Sequence, residues 1–142
     1  MSNKNVFIAA TNLVCVFPLY EAKHDVCTFA MIFLAATMSI VSHLFESHKH
    51  GMIGFGCSHK TSFWLNRLDV FGAWFLAVRV FMISEWLVLF KFAPWVMLFT
   101  SCNIVSERHH TIATQRVFLV WHTMWHLGIF TVLGFILFES KK

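Results

Sequence analysis

Charge is scarce in this chain. Lys, Arg, Asp and Glu supply 13% of its 142 residues, about half the share of an ordinary soluble domain. Another 58% are hydrophobic. A water-soluble domain of this size has too much surface for its volume to hide so many apolar side chains, so that class is excluded. The formal charge of +4 is small and the basic residues are scattered, which excludes a nucleic-acid footprint. Basic loops suit anionic lipid headgroups better. Cysteine is sparse too. Cys15, Cys27, Cys57 and Cys102 form no CxxC pair and three lie in apolar segments, so they read as small buried hydrophobes rather than a disulfide framework. Alternation of apolar and polar residues is missing, which excludes a transmembrane barrel. There is no internal repeat, low-complexity tract or linker, and residues 1–142 read as a single membrane domain.

What is present is long apolar runs, with 17 Phe and 6 Trp among them. Five segments stand out, at about residues 6–20, 26–45, 63–83, 86–105 and 117–138. A span needs ~20 residues at ~1.5 Å each, which segments two to five provide and segment one approaches. Backbone groups inside lipid must satisfy one another, so helices follow. The expected fold is all-α, a polytopic membrane helix bundle of about five transmembrane helices. Pro94 is expected to kink the fourth. The first segment lacks a small-x-small cleavage site and reads as a retained helix rather than a leader. Between segments, EAKHD (Glu21–Asp25) and Ser84–Glu85 read as tight turns, and Glu46–Ser62 and Ser106–Arg116 as loops.

Polar residues at membrane depth are costly and so point to function. The chain has two Asp, and one of them, Asp69, falls inside the third segment. Ser39 and His43 occupy the last two turns of the second, and His122 and His126 the first two turns of the fifth. Tracing the helices across the bilayer brings all five to one face. SIVSH and HTMWH are i, i+4 pairs, which share a helix face. Two imidazoles so spaced can chelate one metal ion, and a third from the second helix completes the three-ligand pattern of catalytic zinc. Asp69 would then orient a water or act as general base, and Ser39 would donate a hydrogen bond. This reading requires the His43 nitrogen within ~8 Å of those of His122 and His126.

The ordered set Ser39-x3-His43, Asp69, His122-x3-His126 resembles the CREST superfamily: alkaline ceramidases, adiponectin and progestin receptors, post-GPI-attachment lipid hydrolases and myomaker-like proteins. The entry helix TNLVCVFPLYEA and the segment VWHTMWHLGIF add to the likeness, which runs from about Asn12 to Phe138. It implies Zn2+ on His43, His122 and His126, with Asp69 and Ser39 supporting the bound water. Members of that superfamily usually have seven helices. The five segments here make a shortened form, with two helices absent between Asp69 and His122.

Three functions follow as expectations. The first is a zinc-dependent hydrolase of a lipid amide or ester. The second is a non-catalytic, metal-stabilised receptor-like or scaffold membrane protein, including one that serves as a subunit of a larger membrane complex. The third is a b-type haem protein, which leaves one of His122 and His126 idle and Asp69 unexplained. His48, His50, Cys57 and His59 in the long loop read as solvated rather than as a second metal site, and His109 and His110 as loop residues. Arg79 and Lys91 should snorkel to the opposite face. Lys4, Lys49, Lys60, Arg108 and Arg116 on the face of the candidate site, against Lys23, Lys141 and Lys142 opposite, make the site face cytoplasmic by the positive-inside rule. Membrane lipids and other membrane proteins are the expected partners. An endomembrane or the plasma membrane is favoured, and mitochondria stay open.

Overall fold

Asp25 opens the helix that begins at Val26. Its carboxylate accepts from the Thr28 backbone N–H at 3.1 Å, an N-cap that satisfies one of the free donors of a helix start. The computed structural model describes residues 3–46, 54–108 and 113–141. All its elements are helical: α1 (Asn3–Thr11), a 3-10 turn (Asn12–Cys15), α2 (Val16–Glu21), α3 (Val26–Phe45), α4 (His59–Ile83), α5 (Trp86–Glu107) and α6 (Gln115–Glu139). No strand occurs among the described residues. By length and composition, α3, α5 and α6 are long and apolar enough to cross a membrane.

The first helical run extends over residues 3–21 and changes character at its middle. Pro18 has no N–H for the carbonyl four residues back, and its ring crowds that carbonyl. The chain tightens to the 3-10 form just upstream, over Asn12–Cys15. Pro94 has a smaller effect, because α5 continues through it as an α-helix. α4 starts at His59, before the apolar stretch begins, because Ser58 Oγ accepts from Thr61 N at 3.1 Å and caps it.

The helices pack in a row. α4 lies on α3, the N-terminal run lies against both α3 and α6, and α5 lies on α6. The α3–α4 approach is close where Gly72 faces Ala35: a Cβ on Gly72 would sit 3.4 Å from the Ala35 Cα. Small residues let helix backbones approach in this way. The core runs through Ile32, Ala35, Ala36, Leu76, Val80, Phe130, Leu133 and Ile136. α4 buries only Leu76 and Val80, and its Trp74, like Leu87 and Phe90 of α5, is exposed. At the end away from the candidate site, ion pairs join neighbouring helices: Arg79 to Asp25 at 2.8 Å, Lys141 to Glu21 at 2.9 Å and Lys91 to Glu139 at 3.3 Å. Arg79 and Lys91 therefore reach that end through partners.

Candidate metal centre

Three helix positions converge at the other end. His43 lies in the last turn of α3, and His122 and His126 lie one turn apart on α6. All three are buried. One nitrogen from each ring lies within 4.8 Å of the others, close enough to share one ion. His43 Nε2 and His122 Nε2 are 3.2 Å apart.

The acceptors at the opposite ring nitrogens favour one tautomer of each ring. Thr11 Oγ1 lies 2.6 Å from the Ile8 carbonyl, to which it donates, and 2.7 Å from His126 Nδ1. A hydroxyl carries one hydrogen, so towards His126 it accepts. The ring hydrogen is then on Nδ1 and the lone pair on Nε2. Ser106 repeats the arrangement, donating to Asn103 O at 2.7 Å and accepting from His122 Nδ1 at 3.0 Å. Glu46 Oε2, 3.2 Å from His43 Nδ1, is an acceptor when ionised. His43 and His122 thus turn their Nε2 atoms towards each other, and the buried His126 ring offers a third nitrogen within 4.8 Å.

Lone pairs so arranged repel unless a cation lies between them. A single proton joins two nitrogens, as His43 and His122 at 3.2 Å allow, and leaves the third unanswered. A metal ion answers all three. Zinc–imidazole bonds of ~2.0–2.1 Å place tetrahedral ligand nitrogens ~3.3 Å apart, close to the His43–His122 separation. The donor set therefore fits a metal with three neutral imidazole ligands, each oriented by an acceptor on its far nitrogen, as ligating histidines usually are.

Ser39 is buried one turn before His43 on α3. Its side chain lies beside the Asp69 carboxylate, which is also near His43, Glu46 and Glu107. Asp69 is half-buried on α4. All five residues singled out from the sequence thus lie in one neighbourhood. Arg67 stacks on the Phe63 ring, 4.9 Å from its centroid.

Sequence reasoning missed the partners. Glu46 and Ser106 looked like loop residues, but Glu46 caps the end of α3 and Ser106 lies in the last turn of α5; Thr11 and Asn12 looked like ordinary helix residues. Asn12 is fully buried, with Nδ2 3.3 Å from His126 Nδ1. Asn5, also fully buried, donates to the carbonyls of His43 and Glu46 at 2.8 and 3.2 Å. One signal was available: Glu46 is i+3 from His43, a spacing that brings side chains together on a helix. Of the loop residues, Cys57 donates to the Phe45 carbonyl at 3.2 Å and His59 begins α4. His48, His50, His109 and His110 lie outside the described residues.

The chain is similar over nearly all its length to a protein of Acanthamoeba polyphaga mimivirus, uncharacterized protein L282. The two are 30% identical over 150 aligned residues, which cover 94% of this chain and 96% of the viral protein. The chain belongs to the family of that viral protein. No protein-family model matches it, and no solved structure does.

Proposed function

We propose that the protein is an integral membrane enzyme of five spans that holds zinc on His43, His122 and His126 and hydrolyses an amide or ester of a lipid. The observation that carries this reading is the buried set of three convergent nitrogens, with an acid and a hydroxyl beside it. Apolar side chains exposed along α4 and α5 suit a lipid surround. The resemblance to the CREST superfamily supplies the reaction class. Zinc held by three imidazoles supplies Lewis acidity and a nucleophile at neutral pH.

The chain's own residues have separate roles. The acceptors Thr11, Ser106 and Glu46 hold the three rings in the ligating tautomer. Asp69 takes a proton at its carboxylate as general base. Ser39 donates to that carboxylate and holds it in place. The test is fatty-acid release from ceramide or phospholipid by the purified protein, with zinc measured on the same samples. Release that is lost in His122→Ala and Asp69→Ala supports the proposal. Zinc-loaded wild type that releases nothing from either lipid contradicts it.

A second reading is a metal-stabilised scaffold. It is favoured by the packing, in which α3 and α6 lie against the N-terminal run while His43 and His122 bridge them. A metal there would staple the bundle. If Asp69→Ala keeps its zinc and every cellular function, the scaffold reading holds.

A further inference from the structure

We infer that Glu46 is a positioning residue of the metal centre, an anionic group that aims and strengthens a ligating histidine. The inference rests on the metal-binding part of the proposed function and is independent of catalysis.

The three histidines are not equivalent. His122 and His126 pass their Nδ1 hydrogens to hydroxyls, those of Ser106 and Thr11. His43 faces a carboxylate. An ionised acceptor forms a stronger hydrogen bond than a neutral one. It also makes the ring a better donor at Nε2, as in other carboxylate–histidine–zinc arrangements.

Glu46 is held where it is. Its side chain is 9% exposed, just past the end of α3. Its carbonyl accepts from Asn5 Nδ2 at 3.2 Å and from Gly54 N at 2.9 Å. The chain beyond folds back on the helix end, with Phe55 N donating to Leu44 O at 2.8 Å. A Cβ on Gly54 would lie 2.6 Å from the carbonyls of both Glu46 and Leu44, so only glycine permits this approach. Burying a carboxylate is costly unless a cation answers it. A divalent ion on His43 would answer part of that cost. The acid that Asp69 contributes sits beside Ser39; the acid that Glu46 contributes sits behind a ligand.

The test is zinc affinity of the full chain in nanodiscs, by competition with a chromophoric chelator, for wild type, Glu46→Gln and Ser106→Ala. Glutamine keeps the size and an acceptor but removes the charge. Zinc affinity of Glu46→Gln should fall about 10- to 100-fold, with a smaller fall for Ser106→Ala. The ligand-field spectrum of the cobalt-loaded protein should shift while the metal-free Tm stays at the wild-type value. Wild-type affinity in Glu46→Gln overturns the inference, as does a loss of affinity that only tracks a lowered metal-free Tm. If Glu46→Gln does not fold, Glu46→Asp decides: it retains the charge but withdraws it by a methylene, so reduced affinity supports the inference and unchanged affinity overturns it. If wild type itself binds no zinc, the metal reading beneath it fails, which is a distinct result.

Discussion

His43 and His122 are 79 residues apart in the chain, yet their Nε2 atoms lie 3.2 Å apart. Each ring is turned by an acceptor at its other nitrogen. The arrangement links α3 to α6 at a single buried point. Its consequences are open to measurement.

Metal removal should destabilise the protein. A ligand that binds only the folded state adds about 2.7 kcal/mol when present at 100 times its Kd. A chelator is therefore expected to lower Tm and added zinc to restore it. The His43→Ala/His122→Ala/His126→Ala variant should respond to neither. Equal responses in the two proteins would show that the effect comes from elsewhere.

The hydroxyl acceptors should matter most when metal is bound. Ser106→Ala leaves the His122 Nδ1 hydrogen buried without its acceptor, a cost of about 1–3 kcal/mol. Without metal the ring is free to exchange tautomers, and the cost falls. Chemical unfolding of the zinc-loaded and metal-free forms of Ser106→Ala measures the difference. A penalty of equal size in both forms would contradict the tautomer assignment.

The far end of the bundle should weaken in acid. Hydrogen bonds from Thr28, with Arg79 beside it, hold the Asp25 carboxyl at a pKa of about 2. In the unfolded chain it returns to about 3.9. The folded value is the lower, so this stabilisation is complete above about pH 4 and is lost as pH falls towards 2. The pair is partly exposed, with side chains 28% and 38% accessible, which limits the effect to under about 1 kcal/mol. Stability measured against pH should fall less steeply over that window in Asp25→Asn. Identical slopes would contradict the assignment.

Gly128 should not tolerate a side chain. A Cβ there would overlap the Phe99 ring of α5. Overpacking of this kind costs about 1–3 kcal/mol, more than the gain of up to about 1 kcal/mol from replacing glycine with alanine in a helix. Gly128→Ala is expected to lower Tm and Phe99→Leu to recover part of the loss. A rise in Tm for Gly128→Ala alone would contradict the packing.

The helices were legible in the sequence because long apolar runs satisfy their own backbone groups as helices. Residues 26–45 and the starts and stops at Ile83 and Trp86 coincide with changes in hydropathy. The other boundaries do not. α4 runs back to His59 because Ser58 caps it, and α5 runs on to Glu107, so both continue into polar residues that hydropathy discounts. The histidines were legible for a different reason. The i, i+4 spacing and the alternation of helix direction put them on one face at one end. Thr11, Asn12 and Asn5 were not legible, because their roles depend on where a 3-10 turn, set off by Pro18, lays the N-terminal run against α3 and α6. Nothing local to those residues distinguishes them from other small polar residues in a helix.

The most direct measurement is zinc X-ray absorption on the loaded protein. The account predicts one zinc per chain with three imidazole nitrogens at about 2.0–2.1 Å, and loss of that signal in the triple-histidine variant. Zinc bound through sulfur, or retained when all three histidines are replaced, would contradict it.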